Sequence, residues 1–346
     1  MMRLRVAVVV ESGTFGSTGA YARNLLRWLP SWCRCALLVS EPVVEHFARV
    51  RDAVEVVPLP EGGGAAGAAD ALARLRPDVV QVNLSDPASG LACLEAAVRA
   101  APTVVTLHLP GSPPAGPFPP VAYAIAPSAS VAAQLRRELM VPPSRVVRVR
   151  HGVEPPAHPV TARAVAIPVV VGAVARLTAR KGLDLLLEAA RELVADGCSL
   201  EVRIAGAGDE EDALRGRAAG LPVRFTGQCL DVPAFLRELD VFCLPSRREA
   251  LPLALLEAAA HGLPCVSTAV GDVAEVLTGA ASIVPADDGP ALTAALRALV
   301  DDPALRAHLG ARARARALRA FDVRMMAART AAVLAQAVRR PLPLRG

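Results

Sequence analysis

From end to end the sequence alternates between short β-branched apolar runs and segments of helical character, and this alternation restricts the available folds more than any other feature. Runs such as Arg5 to Val10, Cys35 to Ser40, Val79 to Val82 and Thr103 to Leu107 are short and nearly continuously apolar. They read as strands covered on both faces, the mark of a parallel sheet flanked by helices. A further strand is expected near Val54 to Val57. Helices are expected from Tyr21 to Leu29, out of the Gly/Ala segment Glu61 to Ala69, and near Leu91 to Ala100. The expected class is α/β with Rossmann-like units. At 346 residues and 53% apolar content, the chain has material for two cores.

The alternation continues through a strand, a turn at Pro127-Ser128 and a helix for which Ser128, followed by Ser130, is a natural N-cap. The Pro-rich stretch VEPPAHPVTARAVAIP then reads as a linker. The expected organisation is an N-terminal domain over 1–155, a linker over 156–167, a second domain over 168–322, and a last helix within 323–346. Strands are expected at Val169 to Val174, Leu200 to Ala205, Val223 to Thr226 and Val241 to Leu244. Helices after Ile283 break at Asp301-Asp302-Pro303.

The chemistry gathers in PSRREALPLALLEAAAHGLPCVSTAVGDVAE, Pro245 to Glu275. Two carboxylates, Glu249 and Glu257, stand eight residues apart here. Pro252 near the first helical position, an apolar run, Gly262 just past the end and Pro264 beyond it predict a helix from Pro252 to His261. Its first N–H groups lack intrahelical partners and carry the positive end of the helix dipole, so amides at Ala250, Leu251 and Leu253 make a seat for phosphate. Upstream, Arg176 and Lys181 lie on a strand-to-helix loop, a planar fork and a point charge suited to a diphosphate. Arg247 and Arg248, beside Glu249, read as solvated.

Three glycine patterns add to this. Gly13, Gly16 and Gly19 follow the first strand as GxxGxxG, which departs from the GxGxxG of a dinucleotide fingerprint, although Glu41 does end the next strand. A ligand loop, a plain tight turn and an oxidoreductase stay open there. Gly206 and Gly208 end another strand, where close approach of a nucleotide and an ordinary turn make the same demand. His108 ends TVVTLH ahead of the loop LPGSPPAGPFPP. A polar residue beyond a strand's carboxyl end is placed to touch substrate, and a hydrogen-bonded structural histidine is the alternative.

Composition excludes several classes. A net charge of +5 with 3% aromatics and no zinc-finger spacing argues against a nucleic-acid reader. Seven cysteines, an odd number, give neither a disulfide framework nor a CxxC pair, so reduced thiols are expected. No apolar run is long enough for a membrane span and the opening MMRLRVAVVVESG has no cleavage-site pattern, which predicts a cytoplasmic protein. Arg312, Arg316 and Arg319 share a helical face, either an ordinary solvated surface or one that meets an anionic membrane. There is no DxD pair to chelate a metal between phosphates, and no Ser/His/Asp or Cys/His set.

In order along the chain, Arg176, Lys181-Gly182, Gly206-Ala207-Gly208-Asp209, Thr226-Gly227, Pro245-Ser246, Glu249 and Leu256-Glu257-Ala258 resemble the signature of the retaining nucleotide-sugar glycosyltransferases of family 4. The resemblance runs from about residue 168 to 322. It implies the GT-B fold, two Rossmann-like domains with parallel sheets facing a cleft, in which the last helix crosses back to the first domain. It implies transfer of a sugar from a nucleoside-diphosphate sugar to an acceptor hydroxyl of a saccharide, lipid or small metabolite, with UDP slightly preferred over GDP and neither metal nor cofactor. Arg176 and Lys181 would stabilise the departing diphosphate, Glu249 would bind donor-sugar hydroxyls, Glu257 ribose hydroxyls, and His108 the donor sugar. Gly16, Gly19, Gly206 and Gly208 would line the substrates. Two departures stand out. His151-Gly152-Val153 replaces an Asn-Gly-Val, and Gly271-Asp272 replaces a Gly-Gly. A nucleotide-sugar epimerase of the same architecture and a catalytically silent partner subunit are the alternatives.

Overall fold

The computed structural model describes residues 3–47, 50, 54–60, 64–158 and 167–340. The chain divides into two units: Met1–Gly152 with Val323–Gly346, and Val153–Asp322. Most of the expected linker lies outside the described residues.

The first unit contains β1 (Leu4–Val10), α1 (Ser17–Trp28), β2 (Cys33–Ser40), β3 (Glu55–Leu59), α2 (Gly64–Leu75), β4 (Val79–Leu84), α3 (Leu91–Ala100), β5 (Thr103–Leu107), β6 (Tyr123–Ala126), α4 (Ala129–Arg137) and β7 (Val146–Arg148). All seven strands are parallel, in the order β3-β2-β1-β4-β5-β6-β7. The strands β4, β5 and β6 are buried at every residue, as a sheet with helices on both faces requires. Ser128 caps α4, its Oγ accepting from Val131 N at 3.2 Å. The helix α1 starts at Ser17, four residues earlier than expected. The 3-10 turn Glu41–Phe47 and β7 had no clear sequence signal.

The second unit contains β8 (Val169–Val174), α5 (Leu183–Ala195), β9 (Leu200–Ala205), α6 (Glu211–Arg217), β10 (Val223–Gly227), α7 (Val232–Arg237), β11 (Val241–Leu244), α8 (Leu253–His261), β12 (Cys265–Thr268), α9 (Val273–Leu277), β13 (Ser282–Val284), α10 (Gly289–Asp301) and α11 (Pro303–Ala320). Its six parallel strands run β10-β9-β8-β11-β12-β13. A core of Val171, Leu186, Leu193, Val202, Ile204, Val241, Leu296 and Leu299 lies between sheet and helices. Asp302, between the last two helices, accepts from Ala304 N and Leu305 N at 2.8 and 2.9 Å, which explains the break there. On α11, Arg312 and Arg319 are exposed and Arg316 is half-buried.

The final helix, α12 (Val323–Arg339), belongs to the first unit and packs on α1. Tyr21 and Thr330 hydroxyls meet at 3.4 Å, and Gly152 N points at Met326 Sδ at 3.1 Å. Among the described residues no helix is long and apolar enough to cross a membrane.

Candidate functional site

In the second unit β8 and β11 lie side by side at the point where the strand order reverses. A crevice at the carboxyl ends of such a strand pair is where open α/β sheets bind ligands. The loop after β8 carries Arg176, Arg180 and Lys181, and the loop after β11 carries Ser246 through Glu249. The two loops are laced together. Arg247 N donates to Arg180 O at 2.8 Å, and Arg180 Nη1 donates to Arg248 O at 2.7 Å. Arg247 is not solvated as expected. Its guanidinium forks onto both oxygens of Asp184 at 2.8 and 2.7 Å, reaches Asp287 at 2.6 Å and donates to Ala179 O at 2.8 Å. The Arg247 hydrogen bond holds the Asp184 carboxyl below its usual range. Arg248 is exposed, as expected. Gly182 permits this closeness: its φ is +62°, and a Cβ there would stand 2.1 Å from Pro245 O.

Lys181 and Glu249 meet across these loops. Lys181 Nζ donates to Glu249 Oε1 at 2.5 Å, Ser246 Oγ donates to the same oxygen at 3.1 Å, and Arg180 Nη1 lies 3.3 Å from it. The side chains are only 15% and 8% exposed. Burial works to raise the Glu249 carboxyl, but the charges of Lys181 and Arg180 and the Lys181 and Ser246 hydrogen bonds overcome it and leave it below its ordinary 4.5. Glu249 is thus a charged acceptor. All three contacts engage Oε1, leaving Oε2 outside them.

A carboxyl held below its ordinary value stabilises the fold fully above that value, and the contribution is lost as pH falls through the lower folded value. Acidification below 4.5 is therefore expected to destabilise the second unit. Urea melts of wild type and Glu249→Gln, compared at neutral and acid pH, should show a smaller pH effect in the variant.

Arg176 is exposed on the same loop, with neither hydrogen bond nor ion pair from its guanidinium among the described residues. The helix α8 begins at Leu253, one residue later than expected, because Pro252 takes the extended N-cap position. No side chain caps it. Ala250, Leu251 and Leu253 are buried there. Glu257 is half-buried one turn into α8, and its charge adds to burial and to Asp231 in raising the Cys229 thiol. Asp272 is buried, and its N–H donates to Ala250 O at 2.9 Å. Gly206 and Gly208 serve the frame: a Cβ on either would stand 1.7 Å from Ala175 O or 2.2 Å from Leu177 O. Among the described residues no three His, Cys, Asp or Glu side chains group to hold a metal ion.

In the first unit His108 is 5% exposed. Asn83 Nδ2 donates to Val9 O, so Asn83 Oδ1 is turned to accept from His108 Nε2 at 3.3 Å. Burial, then the neighbouring His151, push His108 well below 6.5, so it is neutral and its Nδ1 accepts from His151 Nε2 at 3.2 Å. Both ring nitrogens are therefore engaged within the protein, and Tyr21 packs edge-on at 4.7 Å. Gly16 is the N-cap of α1. Gly19 makes room for the Phe15 ring, 2.8 Å from where a Cβ would stand, and Phe15 stacks on His46.

Two parallel units of this strand order define the GT-B class, and solved structures agree over nearly the whole chain. Anabaena HepE, determined with UDP and glucose, superposes with a TM-score of 0.78 at 17% identity, covering 96% of this chain and 99% of that one. Sucrose-phosphate synthase from Thermosynechococcus elongatus gives 0.76 at 17%, covering 96% and 99%. Two family models also match, Glycosyl transferases group 1 over residues 168–302 and Glycosyltransferase Family 4 over 63–155. The chain belongs to glycosyltransferase family 4. The phosphatidyl-myo-inositol mannosyltransferase of Mycolicibacterium smegmatis is 38% identical over 141 residues, 39% of this chain and 36% of that protein. The lipopolysaccharide core biosynthesis mannosyltransferase LpsB of Rhizobium meliloti is 34% identical over 176 residues, 47% and 50%. The chain thus matches half or less of the length of these curated relatives.

Proposed function

We propose that this chain transfers a sugar from a nucleoside-diphosphate sugar to an acceptor hydroxyl, with retention at the anomeric carbon. The observation that carries the reading is the Lys181–Glu249 pair, buried and tied at the strand-order reversal of the second unit, with Arg176 free on the same loop. Arg176, Lys181 and the amides opening α8 would seat the diphosphate and stabilise the negative charge that grows on it, an effect strongest where water is excluded. Glu249, charged and with Oε2 outside the ion pair, would accept hydrogen bonds from donor-sugar hydroxyls, and Glu257 from the ribose. The bond from the anomeric carbon to the phosphate oxygen breaks and one to the acceptor oxygen forms. The acceptor's proton passes to the departing phosphate oxygen, so no protein nucleophile is needed. His108, neutral and bonded at both nitrogens, would hold position rather than move a proton.

Relatives named for mannosyl transfer, one of them as GDP-mannose-dependent, and neighbours solved with UDP or UDP-glucose make GDP-mannose and UDP-glucose the first donors to test. Calorimetry with UDP, GDP and ADP, with and without EDTA, should show one nucleotide bound independently of metal, with binding weakened in Lys181→Ala. Binding of NAD alone, or of nothing, would overturn the reading. Conversion of the donor sugar without any acceptor would point to an epimerase.

A further inference from the structure

The Pro-rich loop after β5 has no part in the chemistry above, yet it frames a cavity of about 420 Å³ in the first unit. Six lining residues are proline, five of them between Pro113 and Pro120. Each fixes its own φ near −65°, so the wall is stiff. The loop is anchored at Gly111, whose N–H and C=O both bond the Gln134 amide, at 3.0 and 2.5 Å. Phe118, Leu139 and Val141 supply further apolar wall, and Met140 stands at the rim with φ +53° and 77% exposure.

Arg145 supplies the contrasting charge. It lines the cavity, and its Nη1 is buried with no hydrogen-bond partner among the described residues. Arg145 makes no ion pair among the described residues, so its charge stands uncompensated at the wall and would draw an anion into the cavity. Arg136 and Arg137 are exposed on the adjoining turn of α4, adding positive field at the mouth, whereas the Glu138 carboxylate at the wall already accepts from Gln134 Nε2 at 2.6 Å. Val121 precedes β6 and Arg145 precedes β7, so the cavity lies at the amino ends of these strands. His108 marks the opposite, carboxyl edge of the sheet, where substrates of such folds bind.

We propose that this cavity binds a small amphiphilic anion, an apolar chain carrying one phosphate or carboxylate head, with the head on Arg145 and the chain against Phe118 and the prolines. Its volume is in the range of small-molecule sites, which favours a single free molecule over a macromolecular segment.

Decyl phosphate below its micellar concentration, titrated calorimetrically into the full chain, is the test, with inorganic phosphate and decanol as separate arms. Decyl phosphate is expected to bind at least tenfold more tightly than either. Arg145→Gln should weaken it at least tenfold, and Met140→Glu, a rim change that no core depends on, should weaken it several-fold. UDP or GDP binding should be unchanged in both variants. Equal binding of decyl phosphate to wild type and both variants, or no binding at all, would overturn the proposal. Capture of anionic phospholipid vesicles without binding of the monomeric amphiphile would also overturn it, because the surface rather than the cavity would then be the site.

Discussion

Lys181→Ala is expected to lower turnover by about a hundred- to a thousandfold and to destabilise the second unit by about 2–4 kcal/mol. On the proposed function, the first effect would come from removing a positive charge from the diphosphate seat. The second arises because Glu249, 8% exposed, keeps its charge and loses its shortest partner, retaining only Arg180 and Ser246. Breaking one side of a buried pair leaves the other uncompensated, which is the expensive way to alter it. The double variant Lys181→Met with Glu249→Gln removes both charges and should recover most of the stability while staying inactive. Steady-state kinetics with the cognate donor and urea unfolding of all variants separate the two effects. A Lys181→Ala protein with full activity would remove that residue from the mechanism, and an unstable double variant would show that the pair is not the source of the loss.

Gly182→Ala should cost about 3 kcal/mol or more, although it adds only a methyl group. A left-handed backbone already disfavours alanine by about 1–3 kcal/mol, and here the new Cβ would also meet a carbonyl oxygen 2.1 Å away. Relieving that clash means parting the loop after β8 from the loop after β11, and with it Lys181 from Glu249. Gly197 is the control. Its φ is +84° but nothing lies within 4 Å of a Cβ built there, so Gly197→Ala should show the backbone cost alone. Comparing the two by urea unfolding isolates the contact, and equal losses would mean that the loops do not depend on it.

The parallel sheets are legible in the sequence because a strand buried on both faces carries its signal in its own residues. Val169 to Val174 and Thr103 to Leu107 were legible to the residue for that reason. The Ser128 cap and the break at Asp301-Asp302-Pro303 were legible too, since the side chains responsible act on amides two or three positions away. The candidate site is written in the sequence as a set of residue types, but that Lys181 and Glu249, 68 positions apart, meet is visible only in the structure. Which of two adjacent arginines turns inward was not. Arg247 and Arg248 are identical locally, and only Asp184 and Asp287, distant in sequence, decide that the first is held and the second stays in water. Arg180 and Ser246 were missed as partners of Glu249 for the same reason. Gly206 and Gly208 illustrate the converse. The pattern is real, but the neighbour that demands it is another stretch of main chain.

The carbonyls of Ala175, Leu177 and Pro245 occupy the space that any side chain at positions 206, 208 and 182 would need. Variation at those three positions is therefore closed in either direction of evolutionary drift, and an insertion in one loop would unfasten the others. On the proposed function, a lineage carrying this frame would change its donor by exchanging side chains hung on an unchanging main chain, with 257 and 272 the first positions to vary. Donor preference in such a protein should shift in single substitutions, each testable in isolation, rather than through the gain or loss of loops.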